Sequence, residues 1–533
     1  MSKTKVAFKK CPGGRQLESF EANLSNNFFV WQIVCQIDSV PLVSASEYNR
    51  VRCKASVLSA KLEERKRRAS DAKCSERTRR RVKQKIRAEA EQHGLSVNFE
   101  PSPQPAGSAS PEEVSHVLDD NNISLRKYHK IRKCFPNAPS LYSVRRERSS
   151  QNEEIDQHIE SIENASLRSI ESVLKAVKPT VERNGEIRVK FSADGANVGK
   201  FKTFTNFTIT FVDETDTKVR GPHLIGIVEL CEQYAHVRDV LKKFDDEIRC
   251  LNDEPVVIDD LPRRVRVVFC ADYKFLLISL GMKSATSAHS CIYCTCKSST
   301  FFRGPGEPRH TIRCGDSGTK LENMLPSLSL DDIVVDVMHM YFRVSDRLFG
   351  RLVEQEVPDD APSRTALHAA LDRLGLKGHL VCKENGVLEF SSLQSRDREK
   401  LIGAVVRGDL LDNVMPQAKA ARKRMVRALF AKFEKAMDIV KNCGDKDTVR
   451  QECKTFLDMF LAMYQKSLVT PYMHIMAFHV AEMVEKHGAL QVFNQQAVEK
   501  ENHHVTSAFF SCTNFRDGSK QIMRKAGRRL LRL

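Results

Sequence analysis

The stretch Ala271–Cys294, ADYKFLLISLGMKSATSAHSCIYC, offers two kinds of metal chemistry in one short run. Asp272 follows an apolar strand-like segment, and a carboxylate at a strand end can hold a hard divalent cation such as Mg2+ or Mn2+. Nineteen residues later, Cys291-Ile-Tyr-Cys294 supplies two thiolates, half of a tetrahedral zinc site. Upstream, Ile187, Val189 and Phe191 alternate with polar residues and lead into Asp194-Gly195, a second strand-end carboxylate. One such aspartate is most often a turn residue or a helix cap. Two on one sheet, joined by a glutamate from a later helix, can hold two divalent ions about 4 Å apart, one activating an attacking oxygen and one stabilising the leaving oxygen.

The other half of the zinc site must come from far along the chain, because no Cys or His pair follows at short-finger spacing. His474 and His479, in PYMHIMAFHVAEMVEKHG, are the candidates. Helix geometry opposes them: five residues turn an ideal helix by about 500°, which leaves the two rings about 140° apart. Joint ligation therefore requires a distortion, expected at the helix start near Pro471. The alternative is a pair of ordinary helix histidines. Cys296 reads as a spare thiol.

The elements that must position these groups follow from periodicity. Phe207, Ile209 and Phe211 alternate in a second strand, joined to the first by a short hairpin connection, Leu224–Leu230 forms a third, and Val265–Phe269 forms a fourth that delivers Asp272. A helix over His236–Cys250 lies between the last two, so the class is α/β, with Asp194 and Asp272 both at strand ends. Loop-like residues run from 298 to 328, and helical periodicity resumes over 418–440 and 449–464. Ahead of the sheet, Ser124 is a helix N-cap for Leu125, Tyr128, Ile131 and Phe135, and Ile155 through Val177 marks one longer helix.

Charge adds a polyanion partner to this picture. The chain of 533 residues carries a formal charge of +17, and residues 61–87 hold thirteen Lys/Arg against four Asp/Glu. That run, with Arg79, Arg80 and Arg81, is either a nucleic-acid-binding segment, a nuclear-import signal or a solvated helix face. Lys127, Lys130, Arg132 and Lys133 make the outer face of the 124–135 helix basic, which fits a DNA-contacting unit and equally a plain amphipathic helix. The sixteen cysteines form no even framework, in keeping with a reducing compartment. No run reaches the roughly 18 apolar residues of a membrane span. FFVWQIVCQI at 28–37 follows a leader carrying Glu18 and Glu21, which argues against a signal peptide.

Taken together, ADYKFLLISLGMKSATSAHSCIYC, FSADGANVGK and HIMAFHV…QQAVEKENHH resemble the catalytic core of Transib-type DNA transposases and of the related V(D)J recombinase catalytic subunit, over roughly residues 185 to 515 and in the family's order. The resemblance implies a ribonuclease-H-like mixed sheet with a large, mostly helical insertion before the third catalytic carboxylate, and a basic helical N-terminal region. It implies Asp194, Asp272 and Glu499 as the carboxylates that bind two Mg2+ or Mn2+ ions. Glu499-Lys-Glu-Asn502 matches the family's Glu-x-x-Asn pattern, with Glu501 as the rival. Cys291, Cys294, His474 and His479 are implied as ligands of a structural Zn2+. Asp336-Val-Met-His339 echoes an intervening element of the family, and its surroundings, IVVDVMHMYFRV, read as a buried structural helix.

The implied organisation is a basic, mostly helical region at 1–98, a flexible linker at 99–115, and a helical DNA-binding and dimerisation region at 116–184. The core follows at 185–297, the insertion with the zinc histidines at 298–488, and the glutamate helix with a basic tail at 489–533. The implied activity is a nuclear DNA transposase that cleaves element ends by two-metal chemistry and transfers the strand. It would act on double-stranded DNA, terminal repeats and target alike, as a homodimer and without a membrane. The alternatives are a domesticated, non-cutting DNA-binding protein and a generic ribonuclease-H-like nuclease.

Overall fold

The computed structural model describes residues 109–533, apart from residues 136, 181–184, 201, 359, 377–379, 383–387, 391–392 and 394. The 1–98 region, with Arg79, Arg80 and Arg81, and most of the 99–115 linker lie outside the described residues. The chain divides into two units, 1–150 and 151–533.

In the first unit, three helices follow one another: α1 (Pro111–Asp120), α2 (Leu125–Arg132) and α3 (Leu141–Asp156). A capping box of Ser110 and Glu113 starts α1, and Ser124 starts α2 by accepting from the Lys127 amide at 3.2 Å, as its sequence predicts. Val114, Leu118, Ile123, Tyr128 and Val144 form the small core.

The second unit is built on a mixed, mostly antiparallel sheet. Its strands are β1 (Glu160–Ile162), β2 (Ala165–Leu167), β3 (Glu186–Val198), β4 (Lys202–Phe211), β5 (His223–Val228), β6 (Val256–Ile258), β7 (Leu261–Ala271) and β8 (Ile333–Val335). The order is β1-β2-β5-β4-β3-β7, with β6 and β8 sharing the outer edge of β7; β3–β7 and β7–β8 are parallel. Helices α4 (Ile170–Val177), α5 (Tyr234–Asp253) and α6 (Tyr273–Ser279) are interleaved with the strands. After β8 come α7 (Val337–Arg351), α8 (Ala361–Arg373), α9 (Ser395–Arg407), α10 (Asp409–Val414), α11 (Ala420–Asn442) and α12 (Lys446–Met463). They are followed by α13 (Pro471–Phe478), α14 (Val480–His487), α15 (Gln496–Cys512) and α16 (Gly518–Leu530).

The alternation of β3 decides what each face of the sheet packs against. Phe191 meets Phe207, Phe244 and Phe269, with the last two ring centroids at 5.2 Å. Each fully buried phenylalanine contributes about 1.5–3 kcal/mol through area removed from water, and Phe191→Ala would cost about 3–5 kcal/mol. Lys190, Ser192 and Asp194 point the other way, opposite Thr210, Thr208 and Asn206 of β4. That face is also buried, so its polar groups need partners from the chain above: Lys190 Nζ donates to the carbonyls of Val492 at 3.0 Å and Asn494 at 2.8 Å.

Three local expectations change. The single helix over Ile155–Val177 is instead the end of α3, a β1–β2 hairpin and α4. Asn164 takes a left-handed turn (φ 58°), and Arg168 N donates to Ile225 O at 2.7 Å, so pairing with β5 overrides the helical spacing. Asp194 is inside a long strand rather than at its end, although the parallel pairing of that strand stops at Ala193. IVVDVMHMYFRV opens as the strand β8 and only then becomes the helix α7.

Candidate active site and metal centre

Parallel register sets Ala193, Ala271 and Val335 side by side on β3, β7 and β8. The next residue on each strand is an aspartate: Asp194, Asp272 and Asp336. Neighbouring strands lie about 4.8 Å apart, so three acids leave the sheet in a row.

Their hydrogen bonds distinguish them. Asp336 is fully buried and its oxygens accept from the amides of Met338 (3.1 Å), His339 (2.9 Å) and Gln495 (2.9 Å), and its carboxylate also pairs with His339 Nδ1. Those contacts consume it structurally. Asp272 caps α6 through Phe275 N at 2.7 Å and keeps its second oxygen outside that bond. Asp194 accepts from Asn502 Nδ2 at 2.6 Å, and Asn206 Nδ2 donates to Asn502 Oδ1 at 2.7 Å. Residues three apart share a helix face, which is why Asn502 reaches Asp194 from the same side of α15 that carries Glu499.

Gln495, the residue before α15, joins all of these elements. Its side-chain amide donates to Ala193 O at 3.3 Å and Cys270 O at 3.1 Å, and its main-chain carbonyl accepts from Glu499 N at 2.9 Å. The sequence reading did not single it out, because a buried glutamine has no periodic signature. It also missed Glu232. A Cβ on Gly195 would fall 2.6 Å from Glu232 Oε1, so only a glycine lets that carboxylate lie against β3 beside Asp194. Glu232 pairs with Lys274 at 2.6 Å. The available signal was an acid just past the end of β5, a strand that runs in the same direction as β3.

The electrostatics unite the group. Burial, then Glu499, Glu232 and Asp272, push Asp194 up to about 8, with His339 opposing. Asp272 is raised by burial and by Glu232, against the bond from Phe275 N. Glu499 is raised by burial around its carboxyl and by Asp336 and Asp272, with His339 opposing. Burial works against charging His339, yet the bond to Asp336 and the charges of Asp336, Asp272 and Asp194 carry it up to about 9. Asp336 caps the helix that the sequence reads as structural, and His339, on that helix, is the group whose charge the neighbouring acids favour. Glu501 is buried with Arg529 at 3.3 Å and His504 at 3.4 Å, which separates it from this group. Acids held at raised pKa by desolvation and by one another fit a cation-binding role, since a divalent ion relieves that repulsion.

The sulfur site is tighter. Among the described residues, Cys291, Cys294, His474 and His479 have ligand atoms all within 4.8 Å of one another, and all four are buried. Cys294 Sγ lies 3.3 Å from His474 Nε2 and Cys291 Sγ lies 3.5 Å from His479 Nε2. This buried Cys2His2 cluster can bind a zinc ion. His474 Nδ1 is 3.0 Å from Phe301 O, a contact that leaves Nε2 to the metal. Arg309 Nε donates to both Cys291 O and Cys294 O at 3.1 Å and fixes the knuckle. The hydrogen bond from Cys291, then those from His474 and His479, draw the Cys294 thiol far below its ordinary range, while burial holds Cys291 up.

The conflict with helix geometry is resolved at the opposite end from the one expected. His479 itself is the break, with φ −127° and ψ −22°, between α13 and α14. Pro471 starts α13 without distorting it. The two sites also touch: Tyr273 N, next to Asp272, donates to the Tyr472 hydroxyl of α13 at 3.1 Å.

Of the basic residues proposed for DNA, Lys127, Lys130 and Lys133 are exposed. Arg132 is partly buried: its Nε donates to Ala138 O at 3.2 Å and Pro139 O at 2.9 Å and closes the α2–α3 loop. No helix among the described residues is long and apolar enough to cross a membrane. No protein-family model matches the chain, and no curated protein matches it.

Proposed function

We propose that this protein is a ribonuclease-H-like DNA transposase or recombinase of the Transib type, with Asp194, Asp272 and Glu499 as its catalytic acids and Glu232 as a fourth carboxylate. The observation that carries this reading is the row of acids where the parallel pairing ends: Asp194 and Asp272 each follow the last registered parallel pair, Ala193 and Ala271. Glu499 comes to them on a helix whose first turn is bonded to both strands through Gln495.

Two Mg2+ or Mn2+ ions would supply activation of the attacking oxygen and stabilisation of the leaving oxygen. The chain's own contribution is placement. Asn502 orients Asp194, the α6 cap orients Asp272, and His339 balances part of the negative charge. Lys274 holds Glu232 beside Gly195. In the first reaction a water oxygen bonds to phosphorus, the P–O3′ bond breaks, and a proton passes to the departing 3′ oxygen. The freed 3′ hydroxyl oxygen then bonds to the phosphorus of a second phosphodiester, whose own P–O3′ bond breaks while the attacking hydroxyl's proton is passed to the departing 3′ oxygen, giving a hairpin or a joined product. Pairing two DNA ends calls for two copies of the chain.

The test is a nicking assay with full-length protein, Mg2+ and a labelled duplex carrying the terminal repeats of the source element. Nicks followed by hairpin or joined products are expected. Nicks alone would leave a plain nuclease, and DNA binding without any nick would leave the non-cutting alternative.

A further inference from the structure

The three-helix unit at 109–150 divides its charge sharply. Residues 125–146 contain seven Lys/Arg and no Asp/Glu, whereas α1 contains four acids and no Lys/Arg. Two of the unit's arginines are used internally. Arg132 closes the loop, and Arg148 reaches α1, with Nη2 2.7 Å from Asp119 Oδ1 and Nε donating to Ser115 Oγ at 3.1 Å. The Arg148 and Asp119 side chains are only 11% and 2% exposed. A buried pair of this kind fixes orientation more than it adds stability, and with Val144 fully buried it sets the rotation of α3.

That rotation turns one face outward: Tyr142, Arg145, Arg146 and Ser149 are exposed at three- and four-residue spacing. Tyr142 is 76% exposed. Among the described residues, Tyr142, Arg145 and Arg146 make no ion pair or hydrogen bond through their side chains, and neither do Lys127, Lys130 and Lys133.

We infer that α3 is a DNA-reading helix, with Tyr142, Arg145 and Arg146 entering the major groove and Lys127, Lys130 and Lys133 of α2 on flanking phosphates. The major groove admits one α-helix, and arginine pairs bidentately with guanine O6 and N7. Lysine ammonium groups carry phosphate affinity without sequence information. The exposed acids of α1, Glu112, Glu113 and Asp120, would repel the backbone and so orient the unit. The inference rests on the proposed function only in taking DNA as the substrate class.

The experiment uses the full-length protein and a randomised 20-base-pair duplex pool for selection, followed by titration of the selected duplex against an unselected duplex of equal length. Wild type should enrich a guanine-containing motif. Arg145→Ala with Arg146→Ala should lower the selected-to-unselected affinity ratio at least tenfold and leave the melting temperature unchanged, because both side chains are exposed. Lys127→Ala with Lys130→Ala should weaken both duplexes equally and reduce the slope of log K against log salt by about two. Unchanged enrichment in the arginine variant would overturn the proposal and place any reading elsewhere. Arginine-dependent binding to anionic phospholipid vesicles, with no duplex preference, would overturn it in favour of a membrane surface. The proposal and the catalytic reading separate cleanly: a selected motif lost in the arginine variant, from a wild type that never nicks, sustains the former and sinks the latter.

Discussion

The Cys2His2 cluster and the acid cluster lie one residue contact apart, through Tyr273 and Tyr472, yet they differ in how closely their ligands converge. The sulfur and imidazole atoms are all within 4.8 Å and fully enclosed. The acids are not drawn that tightly, and Glu499 and Asp272 remain open to solvent. Thiols and imidazoles can be neutral and hydrogen-bond one another, so they pack closely. Carboxylates near one another repel, and here each is bonded to something else: Asp194 to Asn502, Asp272 to its own helix, Glu232 to Lys274. A closed set suits a structural ion, and an open set leaves room for substrate oxygens.

The largest effect should follow from opening the closed site. Cys291→Ser should release zinc, measured by elemental analysis, and abolish cooperative unfolding of the second unit, since structural zinc binding is worth on the order of 10 kcal/mol. If the variant keeps a full zinc equivalent and its melting temperature, the closed site is wrongly assigned. Asp272→Asn retains an α6 cap but removes the charge, and should slow nicking by about 10³-fold, or ~4 kcal/mol. Zinc content and duplex affinity should stay as in wild type. Parallel loss of zinc would show that the two clusters are one structural unit.

Gln495→Met keeps the volume and deletes the donors to Ala193 O and Cys270 O. Losing two hydrogen bonds to buried strand carbonyls predicts a loss of about 1–3 kcal/mol, together with a higher Mg2+ requirement for nicking. A stability loss with unchanged Mg2+ dependence would confine Gln495 to folding. The smallest effect is electrostatic. The folded-state pKa of Asp194, about 8, lies above its ordinary 3.8, so the folded state binds the extra proton between those values. Its contribution to stability is therefore present below about pH 4 and is lost as pH rises toward 8. In Mg2+-free buffer at pH 8, Asp194→Asn should be the more stable protein by at least about 1 kcal/mol, with the gap closing at pH 5. Added Mg2+ should raise the melting temperature of wild type and not of the variant.

Much of the sheet-bearing unit was readable because its signals are local. Alternation gave β3, β4 and β7, and helical spacing gave α5, α11 and α12 within a few residues of their observed bounds. Ser124 announced its own helix. The hairpin at 160–167 was not readable, since Ile155, Ile159 and Ile162 fall at helical spacing and only pairing with β5 makes the segment extended. Lys127 and Arg132 look alike in sequence and differ only because a loop folds back onto one of them.

The sequence by itself determined the inventory: two strand-associated aspartates, a Cys-x-x-Cys, a histidine pair, and a glutamate and an asparagine sharing one helix face. Each rests on residue type and short spacing, which local geometry converts directly into position. The tertiary structure alone decided that Asp194, Asp272 and Asp336 stand in one register and that Glu232 can lie on Gly195. It also decided that Gln495 ties three elements together and that His479 breaks its helix so that both rings reach the cysteines. Those outcomes depend on contacts between residues tens to hundreds of positions apart, and no periodicity within a segment encodes which distant segment will lie beside it.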